Sequence, residues 1–130
     1  PRQLLNFDLP ENVLDALGRS ASEFAFRPGA RHHLLLMTDD GFLEPPAVFS
    51  DGTPAVLGYD AVAEALETAD VRLFSVHAPL RGRGLSSPHD GGPSLVARTG
   101  GAWFEVADVD RGRLDLAALL LDLVSGRTCP

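Results

Sequence analysis

Two short stretches concentrate oxygen ligands. Asn6-Phe7-Asp8-Leu9-Pro10-Glu11 places an amide oxygen, two carboxylates and a loop carbonyl within six residues, just ahead of a helical pattern. Calcium and magnesium take hard oxygen ligands of this kind. The same residues also suit a helix start, with Asp8 at the N-cap, Pro10 in the first turn and Glu11 three residues on, as in a capping box. Composition alone leaves both readings open. The second stretch, Thr38-Asp39-Asp40, closes the apolar run HLLLMT. A carboxylate beyond the carboxyl end of a buried parallel strand stands where open α/β sheets bind ligands, and aspartate is also common in solvated turns.

Other reactive residue types form weaker patterns. His32, His33, His77 and His89 have no zinc spacing and no paired cysteines. His32 and His33 flank a strand start and read as surface or edge residues. Ser86-Ser87 lies close to His89-Asp90, but a G-x-S-x-G nucleophile elbow is absent. The glycines between Gly82 and Gly92 do not form a dinucleotide fingerprint after a strand. Cys129 is the single cysteine, so no internal disulfide forms.

The elements that must position these groups follow from hydrophobic spacing. Val13, Leu14, Leu17, Ala21 and Phe24 recur at helical steps over 11–24. HLLLMT over 33–38 and VRLFSV over 71–76 lack alternation, which predicts strands buried on both faces of a parallel sheet. Residues 59–68 form a helix burying Val62, Ala65 and Leu66. A helical turn spans 94–98, a third strand 103–106, and a last helix 114–124 is apolar round most of its circumference and therefore well buried. The connections 42–58 and 77–93 are long loops. Helices alternating with strands predict an α/β fold, a mostly parallel open sheet with flanking helices.

Length and composition fit one domain over 1–130, with 45% hydrophobic and 22% charged residues. The net charge is −7, and all 11 basic residues are arginine. Without a basic cluster the chain is a poor nucleic-acid partner. No apolar run reaches the length of a membrane span. The arginine-only, glycine- and proline-rich composition points to a GC-rich bacterial genome.

NFDLPE, the helix VLDAL, and FRPGARHHLLLMTDD together resemble the von Willebrand factor A-type domains of the integrin-β-like kind. There a loop N-x-D-x-P-E precedes a helix, and a buried strand ending in T-D carries an adhesion-site ligand. VRLFSV, SLVARTGGAWFEV and the last helix are similar to the elements that follow, so the resemblance covers nearly the whole chain. It implies a vWA/Rossmann-like sheet and a metal-ion-dependent adhesion site, with Glu11 and Asp39 as acidic ligands. Asn6, Asp8, the Pro10 carbonyl and Glu11 would form a neighbouring calcium site, with Thr38 and Asp40 adjacent but not ligating. The implied cofactor is Mg2+ or Ca2+, and the implied partner is a protein carboxylate bound through the metal, outside the cell or at its surface. Catalysis is not implied.

The family's D-x-S-x-S loop and first strand are missing ahead of NFDLPE, and Asp51-Gly52-Thr53 does not replace them. The expectation is therefore the C-terminal part of a vWA-like domain, without its N-terminal strands and with an incomplete metal site. HLLLMT would then present a bare apolar edge, and self-association would cover it. Two competing readings are a magnesium-dependent phosphatase-like enzyme using Asp39 and a scaffold with a vestigial metal site. Val48–Thr53 (VFSDGT) is similar to a phosphatase D-x-D-G-T loop, but Phe49 stands where the nucleophilic aspartate would be.

Overall fold

The computed structural model describes residues 11–38, 41–78 and 84–125. Helix α1 (Val13–Glu23) buries Val13, Leu14, Leu17 and Ala21 along one stripe. It begins later than its sequence suggests. Asn12 occupies the N-cap position without a side-chain cap, so Glu11 precedes the helix and the capping-box reading is corrected. The reason is that Glu11 is drawn to the sheet: its N–H donates to the Gly41 carbonyl at 3.2 Å, and it bridges to Phe42. Phe24, beyond the last turn, is exposed and not part of the stripe.

Three strands follow, β1 (His32–Thr38), β2 (Val71–His77) and β3 (Trp103–Glu105). They form one sheet in the order β1-β2-β3, with both pairs parallel. Helix α2 (Tyr59–Thr68) is the crossover between β1 and β2, and the short helix α3 (Leu95–Arg98) lies between β2 and β3. Helix α2 buries Tyr59, Val62, Ala63 and Leu66, and Ser94 caps α3 by accepting from the Ala97 N–H at 3.2 Å. The fold is thus a small α/β fold with an open, all-parallel sheet and flanking helices.

The two leucine- and valine-rich strands differ in burial. The central strand β2 is buried at every position except Arg72. β1 is half-exposed along its length, and Met37 is 54% exposed. Burial on both faces is easier with neighbours on both sides, and among the described residues β1 has a neighbouring strand only at β2.

The main core lies where α1, α2 and α3 meet the sheet, around Leu14, Leu17, Val62, Leu66, Leu73 and Leu95. Each such leucine contributes about 2–3 kcal/mol by burial of apolar area. The other face is thinner. There Phe74 packs with Leu119 and Leu123, flanked by Leu35 and Phe104.

Two elements at the end of the chain differ from the sequence expectation. Val106 leaves the strand and opens a short helix, α4 (Val106–Asp110). The last helix, α5 (Leu116–Ser125), is not well buried: only Leu119 and Leu123 are, while Leu121 is 70% and Val124 87% exposed. A sheet this narrow offers one helix a groove for one stripe of side chains, and the second stripe faces outward.

Thr99-Gly100-Gly101 sets the approach of β3 to β2. The Thr99 hydroxyl accepts from the Leu73 N–H at 3.1 Å and lies 3.1 Å from the Leu95 carbonyl. Gly100 has φ +68°, the left-handed region that glycine enters without penalty. A Cβ at Gly101 would stand 1.8 Å from the Leu73 carbonyl oxygen, so no side chain fits there.

Candidate functional site

Parallel strands end together, and here the carboxyl ends gather polar groups. The register aligns Thr38 with His77 and His77 with Glu105, three polar side chains in one row on the sheet face beneath α1 and α2. The Glu11 carboxylate joins this row. Its Oε2 accepts from the Thr38 hydroxyl at 2.6 Å. The loop before α1 and the end of β1, far apart in sequence, therefore meet. Thr38, expected adjacent to the candidate ligands, is hydrogen-bonded to one of them, Glu11. Asn6, Asp8, Pro10, Asp39, Asp40 and Cys129 lie outside the described residues. Of the candidate ligands, Glu11 is thus the one whose surroundings are described. Among the described residues, no three histidine, cysteine or acidic side chains converge as a metal cluster.

His77 is the last residue of β2 and is fully buried, not a loop residue as its sequence context suggests. Its Nδ1 lies 2.9 Å from the Ser75 hydroxyl and its Nε2 2.8 Å from the Ser86 hydroxyl. Trp103 stacks on the ring at 5.1 Å. Burial holds the imidazole pKa below its usual value, which favours the neutral ring. Ser75 is fully buried, and a buried hydroxyl needs an acceptor. The one it has among the described residues is His77 Nδ1. That assigns the ring hydrogen to Nε2, which donates to Ser86 Oγ. A nitrogen that donates to a hydroxyl is not a base toward it, so the contact latches the 84–87 loop to the strand end.

Ser86 and Ser87 had invited comparison with His89 and Asp90, but His89 takes other partners. Its Nε2 pairs with Glu44 Oε2 at 3.1 Å, and its ring stacks on Tyr59 at 4.1 Å. Glu44 Oε1 also accepts from the Tyr59 N–H at 2.6 Å, a carboxylate at the positive end of α2. The Tyr59 hydroxyl donates to the Pro93 carbonyl at 2.9 Å. This cluster ties both long connections to the start of α2. Single-residue patterns cannot show it, because its members come from three separate segments.

The chain matches no protein-family model, no curated protein and no solved structure.

The remaining histidines belong to the opposite end of the sheet. His32, expected as a surface or edge residue, is half-buried and faces two carbonyls, Ala69 at 2.7 Å and Arg27 at 3.1 Å. Those two bonds hold its pKa above the usual value. His33 is shifted the other way, by burial and then by Arg72 and Arg31, and its Nε2 is buried without a partner. A cavity of about 660 Å³ beside α1 is lined by Asn12, Asp15, Arg19, Thr53 and Val56. Its carboxylate, Asp15, is engaged by the Leu57 N–H at 2.7 Å and the Val56 N–H at 3.3 Å. Asp15 thereby anchors the 42–58 connection to α1, and the carboxyl ends of the strands are the better candidate site. No helix among the described residues is long and apolar enough to cross a membrane.

Proposed function

We propose that this chain is a metal-dependent protein-binding module of adhesion type, related in fold to the von Willebrand factor A-type domains. The observation that carries the proposal is the 2.6 Å contact between Glu11 and Thr38. It brings Glu11 and Thr38, the described residues of the two segments on which the resemblance rests, to one strand end. The all-parallel sheet and the close packing of Thr99-Gly100-Gly101 against Leu73 also fit the resemblance. In the family arrangement a further strand, carrying the D-x-S-x-S loop, would adjoin β1.

A carboxylate and a hydroxyl side by side are hard oxygen donors of the kind magnesium and calcium prefer. Glu11 and Asp39 would hold the ion, with Asn6, Asp8 and the Pro10 carbonyl at a neighbouring calcium site. The bound ion would supply an open coordination position for a carboxylate of the partner protein. Thr38 orients Glu11 by donating to it, and the bond between the Glu11 N–H and the Gly41 carbonyl holds Glu11 beside the sheet.

Thermal melts in chelator, calcium and magnesium test this reading. A ligand at 100 times its dissociation constant that binds only the folded chain adds about 2.7 kcal/mol, a shift of several degrees at this size. The proposal expects that shift in the parent chain and its loss in Glu11→Ala and Asp39→Ala. A melt indifferent to both cations would sink it.

A further inference from the structure

We propose that the cavity at the amino end of the sheet, lined by Arg27, Arg31 and His33, binds a small phosphate monoester.

The chain brings cations together here by a local turn. The turn 27–30 closes where the Ala30 N–H donates to the Arg27 carbonyl at 3.2 Å. Gly29, its third residue, has φ +73°, which glycine enters without penalty. Arg27 and Arg31 thus stand on either side of one turn. His32 ties that turn to the sheet, because its ring nitrogens face the Arg27 and Ala69 carbonyls. Only the protonated ring donates to both acceptors, so His32 adds a positive charge. Arg72 joins from β2, in register with His33 and so on the same sheet face.

This positive patch stands out against a chain of net charge −7. Arg98 and Arg113 are paired with Asp60, Glu67 and Asp108. Among the described residues, Arg27, Arg31 and Arg72 have no carboxylate partner.

The cavity measures about 590 Å³, within the range of small-ligand sites. Arg27, Arg31, His33 and Ser125 give it polar lining, and Leu123 and Val124 of α5 give it apolar lining. A guanidinium matches carboxylate or phosphate oxygens two at a time. Two such groups in the cavity, with Arg72 and His32 close by, favour a dianion over a monoanion. The leucine and valine suit an organic group carried by that anion, and a phosphate monoester has both parts.

His33 lacks a counter-charge. Its ring lies 5.5 Å from that of Phe74, and its Nε2 is buried without a partner among the described residues. The charges acting on it, Arg72, Arg31 and His32, are all positive. The acidic residues nearest in sequence to the lining, Asp70 before β2 and Asp122 on α5, do not line the cavity. Burial and those cations hold the His33 pKa below its usual value. A bound anion opposes both effects and should draw a proton onto the ring.

Calorimetric titrations in chelator test the proposal, since without metal a phosphate contact at the other end of the sheet stays out of the readout. Phenyl phosphate should bind with a dissociation constant of about 1 mM or tighter. Arg27→Gln and Arg31→Gln should each weaken it about tenfold. Both side chains are exposed, and Arg27 meets Ala30 and His32 through its carbonyl, so the turn survives the change; circular dichroism checks this. Arg111→Gln, at another exposed arginine, should change nothing. Benzoate, a monoanion on the same ring, should bind more weakly than phenyl phosphate, and so should inorganic phosphate. Val124→Ser should weaken phenyl phosphate about threefold and leave inorganic phosphate unchanged. Inorganic sulfate stays a dianion between about pH 5.5 and 8, where histidine is the side chain that ordinarily titrates. Its affinity should rise as pH falls, and His33→Gln should flatten the rise. By NMR, saturating sulfate should raise the His33 titration midpoint. Absence of phenyl phosphate binding up to about 10 mM, or binding indifferent to both arginine variants, would overturn the proposal. Benzoate or inorganic phosphate binding as tightly as phenyl phosphate would overturn the assignment to a monoester.

Discussion

The Thr38 hydroxyl donates to the Glu11 carboxylate at 2.6 Å, across 27 positions of sequence. This bond is the local tie between the loop ahead of α1 and the end of β1. A hydrogen bond to a charged group is worth about 1.5–3 kcal/mol when buried, and this one is partly buried, so Thr38→Val should cost about 1 kcal/mol. Thr38→Ser should restore most of it. Melting temperatures of the two variants check this, and equal losses would show that the methyl group matters and the hydroxyl does not.

Asp15 should be worth about as much as the buried leucines beside it on α1. It is buried and accepts from two backbone N–H groups of the 42–58 connection. Asp15→Ala leaves both donors without an acceptor and should cost about 2–3 kcal/mol. Asp15→Asn keeps one oxygen and should cost less. Urea midpoints would rank them, and an Ala variant as stable as the parent would mean that water replaces the carboxylate.

Gly100 and Gly101 should respond differently to alanine. At Gly100 the cost is a left-handed backbone, about 1–2 kcal/mol. At Gly101 the methyl group would overlap the Leu73 carbonyl, which is backbone and cannot rotate away. The loss there should exceed about 3 kcal/mol, at or beyond the upper end for overpacking. Denaturation curves decide it: a Gly101→Ala chain no weaker than Gly100→Ala would rule out the close approach of β3.

Two adjacent histidines should titrate on opposite sides of the ordinary value. His32 is raised by its bonds to Ala69 and Arg27, and His33 is lowered by burial. The signs follow from linkage. The stabilisation from His32 is fully present below its unfolded pKa near 6.5 and is lost as pH rises through its higher folded value. His33 and His77, both lowered, act in reverse: stability falls as pH drops below their unfolded value toward their folded ones. NMR titration of the ring protons separates the three residues, and His32 titrating below His33 would contradict the bonding described.

Much of the fold is legible along the chain. The stripe Val13, Leu14, Leu17 and Ala21 marks α1, and the stretch over 59–68 marks α2 with the bounds it adopts. The runs HLLLMT and VRLFSV mark two parallel strands, because an apolar run without alternation suits a strand covered on both faces. The part less easily read is how completely each element is covered. VRLFSV and HLLLMT look alike, yet β2 is central and buried while β1, outermost among the described strands, is half-exposed. The last helix is apolar on nearly every side, yet one stripe alone reaches the sheet.

By itself the sequence determined every element but α4, their order and the parallel α/β class, because these depend on spacings within about a dozen residues. Tertiary structure alone decided that Glu11 meets Thr38, that His77 turns to Ser75 and Ser86, that His89 pairs with Glu44, and that Gly101 must be bare beneath Leu73. Each of these contacts depends on where a crossover or loop returns the chain. That path is set by packing of whole helices on the sheet, a sum over many side chains that no local pattern contains.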